Sequence, residues 1–164
     1  MRRWAAALAA VLLLTGCSSL APAGDKRAEV SQSQLGGTWQ ATGGGVISFT
    51  EDGTFLASDL PHQMFDGFTN VLPPDYRPGR DKLRAAGSWE LRAGLGDPDG
   101  PKNHVYLHVR ELFGHEAAGG TDLEAEQGKD GVVLTYYAVD PDLNQRITWT
   151  KCSETSSTND PPSC

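Results

Sequence analysis

Four histidines are the residues in this 164-residue chain best suited to bind a transition metal: His62, His104, His108 and His115. His104 and His108 lie in one strand-like segment, where a rise of about 3.3 Å per residue separates them by about 13 Å. The ligands of one zinc ion lie about 2 Å from the metal, so a regular strand keeps these two apart. The remaining candidate is a metal site formed by one of these two histidines together with His115 and Glu116. We prefer solvated or hydrogen-bonded histidines, and predict no metal and no cofactor.

A calcium-loop pattern begins in Asp140-x-Asp142-x-Asn144 but is not completed. Gln145 stands where such a loop needs glycine, and Lys151 stands where it needs a bidentate glutamate. The Asp-Pro-Asp composition is typical of a turn. We therefore interpret this segment as a connection between strands.

Motifs of nucleophilic catalysis are missing from the sequence. There is no Gly-x-Ser-x-Gly motif and no glycine-rich phosphate loop. Glu124 and Glu126 form a carboxylate pair in a polar stretch, where a solvated face is the preferred interpretation. We predict no catalytic residue, and we predict that the protein is not an enzyme.

The thiol of Cys17 has the clearest chemical assignment. It follows Leu14-Thr15-Gly16 at the end of an apolar run that begins after Arg2 and Arg3. About eleven apolar residues make a helix of roughly 16 Å, too short for the ~30 Å hydrocarbon core, which favours a cleaved targeting segment. Leu14–Cys17 resembles the lipobox of bacterial lipoproteins. The alternatives are an ordinary secretory signal with a chance cysteine, and a twin-arginine signal that lacks the expected flanking residues.

The lipobox resemblance implies a location and a partner. Residues 1–16 would be removed, and acyl chains on Cys17 would anchor the protein on the extracytoplasmic face of the cell membrane. Loss of two arginines changes the formal net charge from −7 to −9. Such an acidic chain without a basic stripe disfavours nucleic acid as a partner. The membrane is thus the predicted partner, through the lipid anchor.

Two cysteines remain once Cys17 is set aside, namely Cys152 and Cys164. An extracytoplasmic compartment permits a disulfide between them, which would close the polar tail at 153–164. A loop of that length contributes roughly 3 kcal/mol in the chain-entropy model. We predict a structural disulfide.

Short strand-like segments separated by glycine and proline make up most of the chain after a polar segment at 17–34, which is predicted to be a flexible tether. Residues 35–152 suffice for one domain. In the hairpin across Glu51-Asp52-Gly53, Phe49 is predicted opposite Phe55, and Ile47 opposite Ala57. The predicted strands are 35–41, 46–50, 54–57, 86–92, 104–110, a weak one near Leu123, 132–139 and 146–151.

A family resemblance covers most of residues 35–152. Gly37-Thr38-Trp39, Asp52-Gly53-Thr54-Phe55, Gly87-Ser88-Trp89-Glu90-Leu91 and Ile147-Thr148-Trp149-Thr150-Lys151 resemble bacterial lipocalin-like domains. Asp59-Leu60-Pro61 and Val139-Asp140-Pro141-Asp142 are similar to small actinobacterial-type lipoproteins of undefined function. The resemblance implies an all-β fold, an antiparallel up-and-down barrel of about eight strands with a short helical or irregular insertion at 59–85.

A ligand site is predicted where the insertion could cover the barrel. The strand at 132–139 is apolar on both faces, and the insertion carries Met64, Phe65 and Phe68. These three, with Tyr136 and Tyr137, are the predicted ligand-binding residues; an ordinary satellite core is the favoured alternative. The predicted function is a tethered, non-catalytic module that binds a small or apolar ligand. Alternatives are a structural or protein-interaction lipoprotein of the cell envelope and, less favoured, a metal-dependent hydrolase.

Overall fold

The computed structural model describes residues 27–68, 71–77, 80–94, 96–138 and 146–153, and they form a closed antiparallel β-barrel. Each strand pairs with the next, and β8 pairs back to β1, so the sheet closes on itself as predicted. The strands are β1 Gly37–Ala41, β2 Val46–Phe49, β3 Thr54–Leu60, β4 Leu83–Ala93, β5 Lys102–Leu112, β6 His115–Gln127, β7 Val132–Tyr137 and β8 Arg146–Lys151.

The β2–β3 hairpin has the predicted register. Phe49 lies opposite Phe55, and Ile47 lies opposite Ala57. Gly53 takes a left-handed φ of 83°, which a glycine adopts without steric cost. All four paired side chains are buried, so the hairpin supplies one wall of the core.

Large side chains fill the barrel interior. The fully buried set contains two tryptophans and ten other large side chains, and it belongs to a single hydrophobic cluster. Its members are Trp39, Trp149, Phe55, Phe65, Leu35, Ile47, Leu83, Leu107, Leu112, Leu123, Leu134 and Val105. Small barrels of this strand number have just enough interior for side chains, and this one is packed rather than hollow.

One end of the barrel is closed by a short helix, α1 (Gln32–Leu35), directly before β1. Ser31 and Gln34 form a capping box at its start, which satisfies two backbone N–H groups. Leu35 is fully buried, and its carbonyl oxygen accepts a hydrogen bond from Trp39 Nε1 at 2.8 Å. Lys151 Nζ donates to the carbonyl oxygen of Gln34 at 2.9 Å, which ties α1 to β8.

Residues 27–30 extend the sheet at the same end. The backbone N–H of Ala28 donates to Ala125 at 2.8 Å, and that of Val30 donates to Lys102 at 3.0 Å. Ala28 and Val30 are both buried. β6 continues to Gln127 past its last pairing with β5, and the segment satisfies backbone groups that would otherwise be unpaired. The predicted tether at 17–34 is therefore too long, because residues 27–34 pack on the barrel.

The insertion after β3 closes the opposite end. It contains a 3₁₀ helix, His62–Phe68, with a kink at Phe65, and Met64, Phe65 and Phe68 are buried as one group. The rings of Phe65 and Phe68 meet edge to face with centroids 5.7 Å apart. A Cβ built on Gly119 of β6 would lie 2.5 Å from the Phe68 ring, so the ring rests directly on the β6 backbone.

The largest departure from the predicted strands is β6. It is 13 residues long, whereas the sequence indicates only a weak strand near Leu123. Gly119 and Gly120 lower the strand propensity of this stretch. In the barrel each glycine lies against an aromatic ring, Gly119 against Phe68 inside and Gly120 against Tyr106 outside. These contacts, which join residues distant in sequence, stabilise the strand.

Candidate functional site

Four of the five predicted ligand-binding residues lie at the barrel end that the 3₁₀ helix closes, three of them on that helix. Met64, Phe65 and Phe68 are buried, and Tyr136 packs partly buried against the core. The Tyr136 hydroxyl donates to the carbonyl oxygen of Gln63 at 2.7 Å, which fixes the helix to β7. These side chains occupy the barrel end themselves. Their placement favours the satellite-core interpretation, and a ligand role for them stays a prediction.

Tyr137 lies apart from the other four. Successive strand residues point to opposite faces, so Tyr137 lies on the outer surface of β7. Its hydroxyl donates to the carboxylate of Glu126 on β6. Glu126 lies opposite Val133, four residues before Tyr137, so the tyrosine side chain extends back along its strand.

A cleft of about 290 Å³ lies on the outer surface where β5, β6 and β7 meet. Glu124 is at its centre, because its register partners are His104 on β5 and Thr135 on β7. We call this the β6 cleft. Its lining residues are His104, Asp122, Glu124, Thr135, Tyr136 and Tyr137.

Three carboxylates alternate along the outer face of β6 at and beside the β6 cleft. His104 Nδ1 lies 2.7 Å from Asp122 Oδ2. Two arginines meet the other two carboxylates at 3.5 Å: Arg27 Nε with Glu124 Oε1, and Arg146 Nη1 with Glu126 Oε2. Charge-assisted contacts of this kind hold side chains in defined orientations. The wall of the cleft is therefore ordered.

Glu126 differs from the solvated position predicted for it. Only 5% of the residue is exposed, because the Tyr137 side chain and the bridge between Arg27 and Glu126 cover it. The sequence does contain one signal for this site, the spacing of Asp122, Glu124 and Glu126. Side chains alternate between the two faces of a strand, so residues two apart lie on the same face. Because the sequence indicates only a weak strand there, the spacing alone does not establish that the three side chains share a face.

The histidines on β5 take separate partners, as the strand spacing predicts. His104 contacts Asp122, and His108 Nε2 lies 2.9 Å from Glu90 Oε1. Both are thus hydrogen-bonded histidines. Across the described ranges, no three His, Cys, Asp or Glu side chains are grouped in a way that could hold a metal ion.

Burial, and then the hydrogen bond to Glu126, raise the pKa of Tyr137 to about 12. Because the pKa of Tyr137 is higher in the folded protein than the unfolded value of 10.0, the protonated hydroxyl stabilises the fold. This contribution is complete below pH 10 and is lost as pH rises toward 12. Tyr137→Phe is therefore expected to flatten the fall in stability between pH 10 and 12. Thermal unfolding from pH 8 to 12 measures this.

The matched control for that experiment is Tyr106→Phe, on the outer face of β5. Burial also raises the pKa values of Tyr76 and Tyr136. These two residues contribute equally to the alkaline loss of stability in the wild type, in Tyr137→Phe and in Tyr106→Phe. An unchanged alkaline profile in Tyr137→Phe would show that Tyr137 does not titrate in this range. Absorbance of tyrosinate near 295 nm gives an independent count of the groups that ionise.

Several predicted residues lie outside the described part of the chain: Cys17, Cys164 and the turn at 140–144. Cys152 is buried, and its backbone N–H donates to Thr38 at 2.8 Å, which fixes one partner of the predicted disulfide beside β1. None of the helices in the described ranges has the length and apolar character needed to cross a membrane.

No protein-family model and no curated protein matches this chain. The fold and the surface define a closed eight-stranded antiparallel barrel with a packed interior and a polar cleft on its outer wall.

Proposed function

We infer that this protein is a membrane-tethered, extracytoplasmic and non-catalytic binding module that engages its ligand on the outside of the barrel. The observation that carries the external site is the packed interior, where Trp39 and Trp149 are almost fully buried. Leu35 of α1 closes one end, and Phe65 and Phe68 close the other. A ligand of ordinary size would have to displace this core, whereas the β6 cleft is open to solvent.

The Leu14–Cys17 motif supports the tether. With Cys17 acylated, nine residues, 18–26, would separate it from Arg27, whose backbone bridges to Glu126 on the barrel. The ten Cα-to-Cα steps from Cys17 to Arg27 span at most about 35 Å when the chain is fully extended. The barrel end that bears Arg27 would therefore lie close to the membrane surface, and the β6 cleft would lie nearby.

The apolar surface favours this proposal over a protein-interaction role. Leu56 is the one large hydrophobic side chain that is exposed among the described residues. Extended protein interfaces usually show as larger apolar patches. The protein-interaction lipoprotein therefore gains less support from the described surface.

Cys17→Ala tests the tether. We expect the full chain to move from the membrane fraction to the soluble extracytoplasmic fraction, and to lose incorporation of a palmitate analogue, because no acyl acceptor remains. Ser19→Ala is the matched control and keeps both properties. A Cys17→Ala protein that still incorporates the label, or a wild-type protein that takes up no label, would overturn the proposal.

A further inference from the structure

We propose that the β6 cleft is a binding site for a small organic ammonium ion. This inference names the ligand class of the proposed external binding module and does not depend on the lipid anchor. It begins from two oxygen atoms in the cleft that have no hydrogen-bond partner among the described residues: Asp122 Oδ1 and Thr135 Oγ1.

Both oxygen atoms are buried, and each lacks a hydrogen-bond donor among the described residues. Thr135 is 1% exposed although it lies on the outer face of β7. Asp122 Oδ2 already contacts His104 Nδ1 at 2.7 Å, which orients the carboxylate and leaves Oδ1 as the available acceptor. Buried polar atoms are nearly always hydrogen-bonded, and an unpaired carboxylate oxygen is the most unusual exception. A ligand that supplies N–H donors would satisfy both oxygen atoms.

The charge at the cleft selects a cation. Three carboxylates, Asp122, Glu124 and Glu126, face two guanidinium groups, those of Arg27 and Arg146. The two arginines contact Glu124 and Glu126, whereas Asp122 contacts His104. An ammonium group carries one positive charge and three donors without an acceptor, which matches an array of carboxylate and hydroxyl oxygens. An anion would meet like charges instead.

The shape and the aromatic wall point to an organic cation rather than a bare ion. Tyr137 lines the cleft, and its bond to Glu126 holds the side chain in place. A ring face beside a carboxylate attracts alkylammonium groups by cation–π interaction. About 290 Å³ is at the lower limit for ligand pockets, so the ligand is small.

Titration of the full chain in non-ionic detergent with n-butylammonium chloride tests this proposal. Sodium butyrate and n-butanol are the anionic and neutral probes of matched shape. We expect saturable binding of butylammonium alone, measured by calorimetry and by saturation-transfer NMR. Binding of all three probes with equal affinity, or saturable binding of none, would overturn the proposal.

Asp122→Asn keeps the shape of the side chain and removes its charge, and we expect it to weaken butylammonium binding at least tenfold. Asp130→Asn removes an exposed carboxylate from the loop after β6 and is the matched control, with affinity unchanged. Thr135→Val, which removes the second buried oxygen, is expected to weaken binding several-fold.

Circular dichroism establishes that each variant is folded. If Asp122→Asn fails to fold, Glu124→Gln takes its place with the same expected loss. Wild-type affinity in the folded charge variant would contradict the assignment.

The two proposals fail separately. A chain that is released by Cys17→Ala but binds no butylammonium refutes the ligand class and leaves the anchor standing. A chain that binds butylammonium without being lipidated refutes the anchor and leaves the cleft assignment standing.

Discussion

Gly87→Ala is expected to prevent normal pairing of β4 with β5 and to destabilise the barrel by about 3 kcal/mol or more, the upper end of the usual overpacking range. A Cβ built on Gly87 would overlap the backbone carbonyl oxygen of His108 and lie 3.0 Å from the Phe55 ring. The register between the two strands shifts between Ala86 and Gly87. A backbone atom cannot rotate away, so the strands must separate.

Urea unfolding followed by tryptophan fluorescence measures this effect. Gly67→Ala is the matched control, since a Cβ on Gly67 meets nothing within 4 Å. We expect its midpoint to stay close to that of the wild type. Because a domain of this size is stable by only about 5–15 kcal/mol, Gly87→Ala should show a large fall in midpoint or fail to accumulate. Equal midpoints for the two variants would show that β4 and β5 tolerate a methyl group between them.

Trp149→Ala is expected to cost about 3–5 kcal/mol, because it removes a fully buried indole and leaves a cavity in a packed interior. The phenylalanine variants separate packing from hydrogen bonding. Trp39 Nε1 donates to the carbonyl oxygen of Leu35, whereas Trp149 Nε1 has no partner among the described residues. Trp39→Phe leaves a buried carbonyl without a donor, at about 1–3 kcal/mol. Trp149→Phe removes an unsatisfied N–H group.

The expected order of urea midpoints is therefore wild type, then Trp149→Phe, then Trp39→Phe, then Trp149→Ala. Near-UV circular dichroism shows whether each variant keeps a rigid core. If Trp149→Ala unfolds at the wild-type midpoint, the interior is loose enough to repack. A Trp149→Phe midpoint below that of Trp39→Phe would mean that Trp149 Nε1 has a hydrogen-bond partner.

The position of the β6 cleft connects the two proposals. Arg27 contacts Glu124 of the cleft, and the chain preceding Arg27 leads to Cys17. An anchored barrel would thus hold the cleft within a short distance of the membrane surface. Binding of butylammonium by the full chain tests whether the cleft binds an ammonium group.

Local patterns in the sequence determined much of the fold. Turn chemistry at Glu51-Asp52-Gly53 defines the hairpin register, because a three-residue loop leaves one pairing of the flanking strands. Val105, Leu107 and Val109 alternate along β5, and all three are buried as the period of two predicts. The approximate number of strands follows from many such local signals. Lipidation of Cys17 and the disulfide between Cys152 and Cys164 are also inferred from the sequence, and they stay predictions.

Only the tertiary structure decided where the domain begins, how long β6 is and which polar residues share a site. Residues 27–30 look like a polar linker, yet they pair with an edge that β5 leaves open. Glu126 looks solvated, yet Tyr137 from the next strand covers it. Alternation along one strand places a carboxylate on a face, but its burial depends on a side chain from another strand. The β6 cleft forms where three strands and the N-terminal segment come together. No local sequence pattern predicts that these elements are in contact.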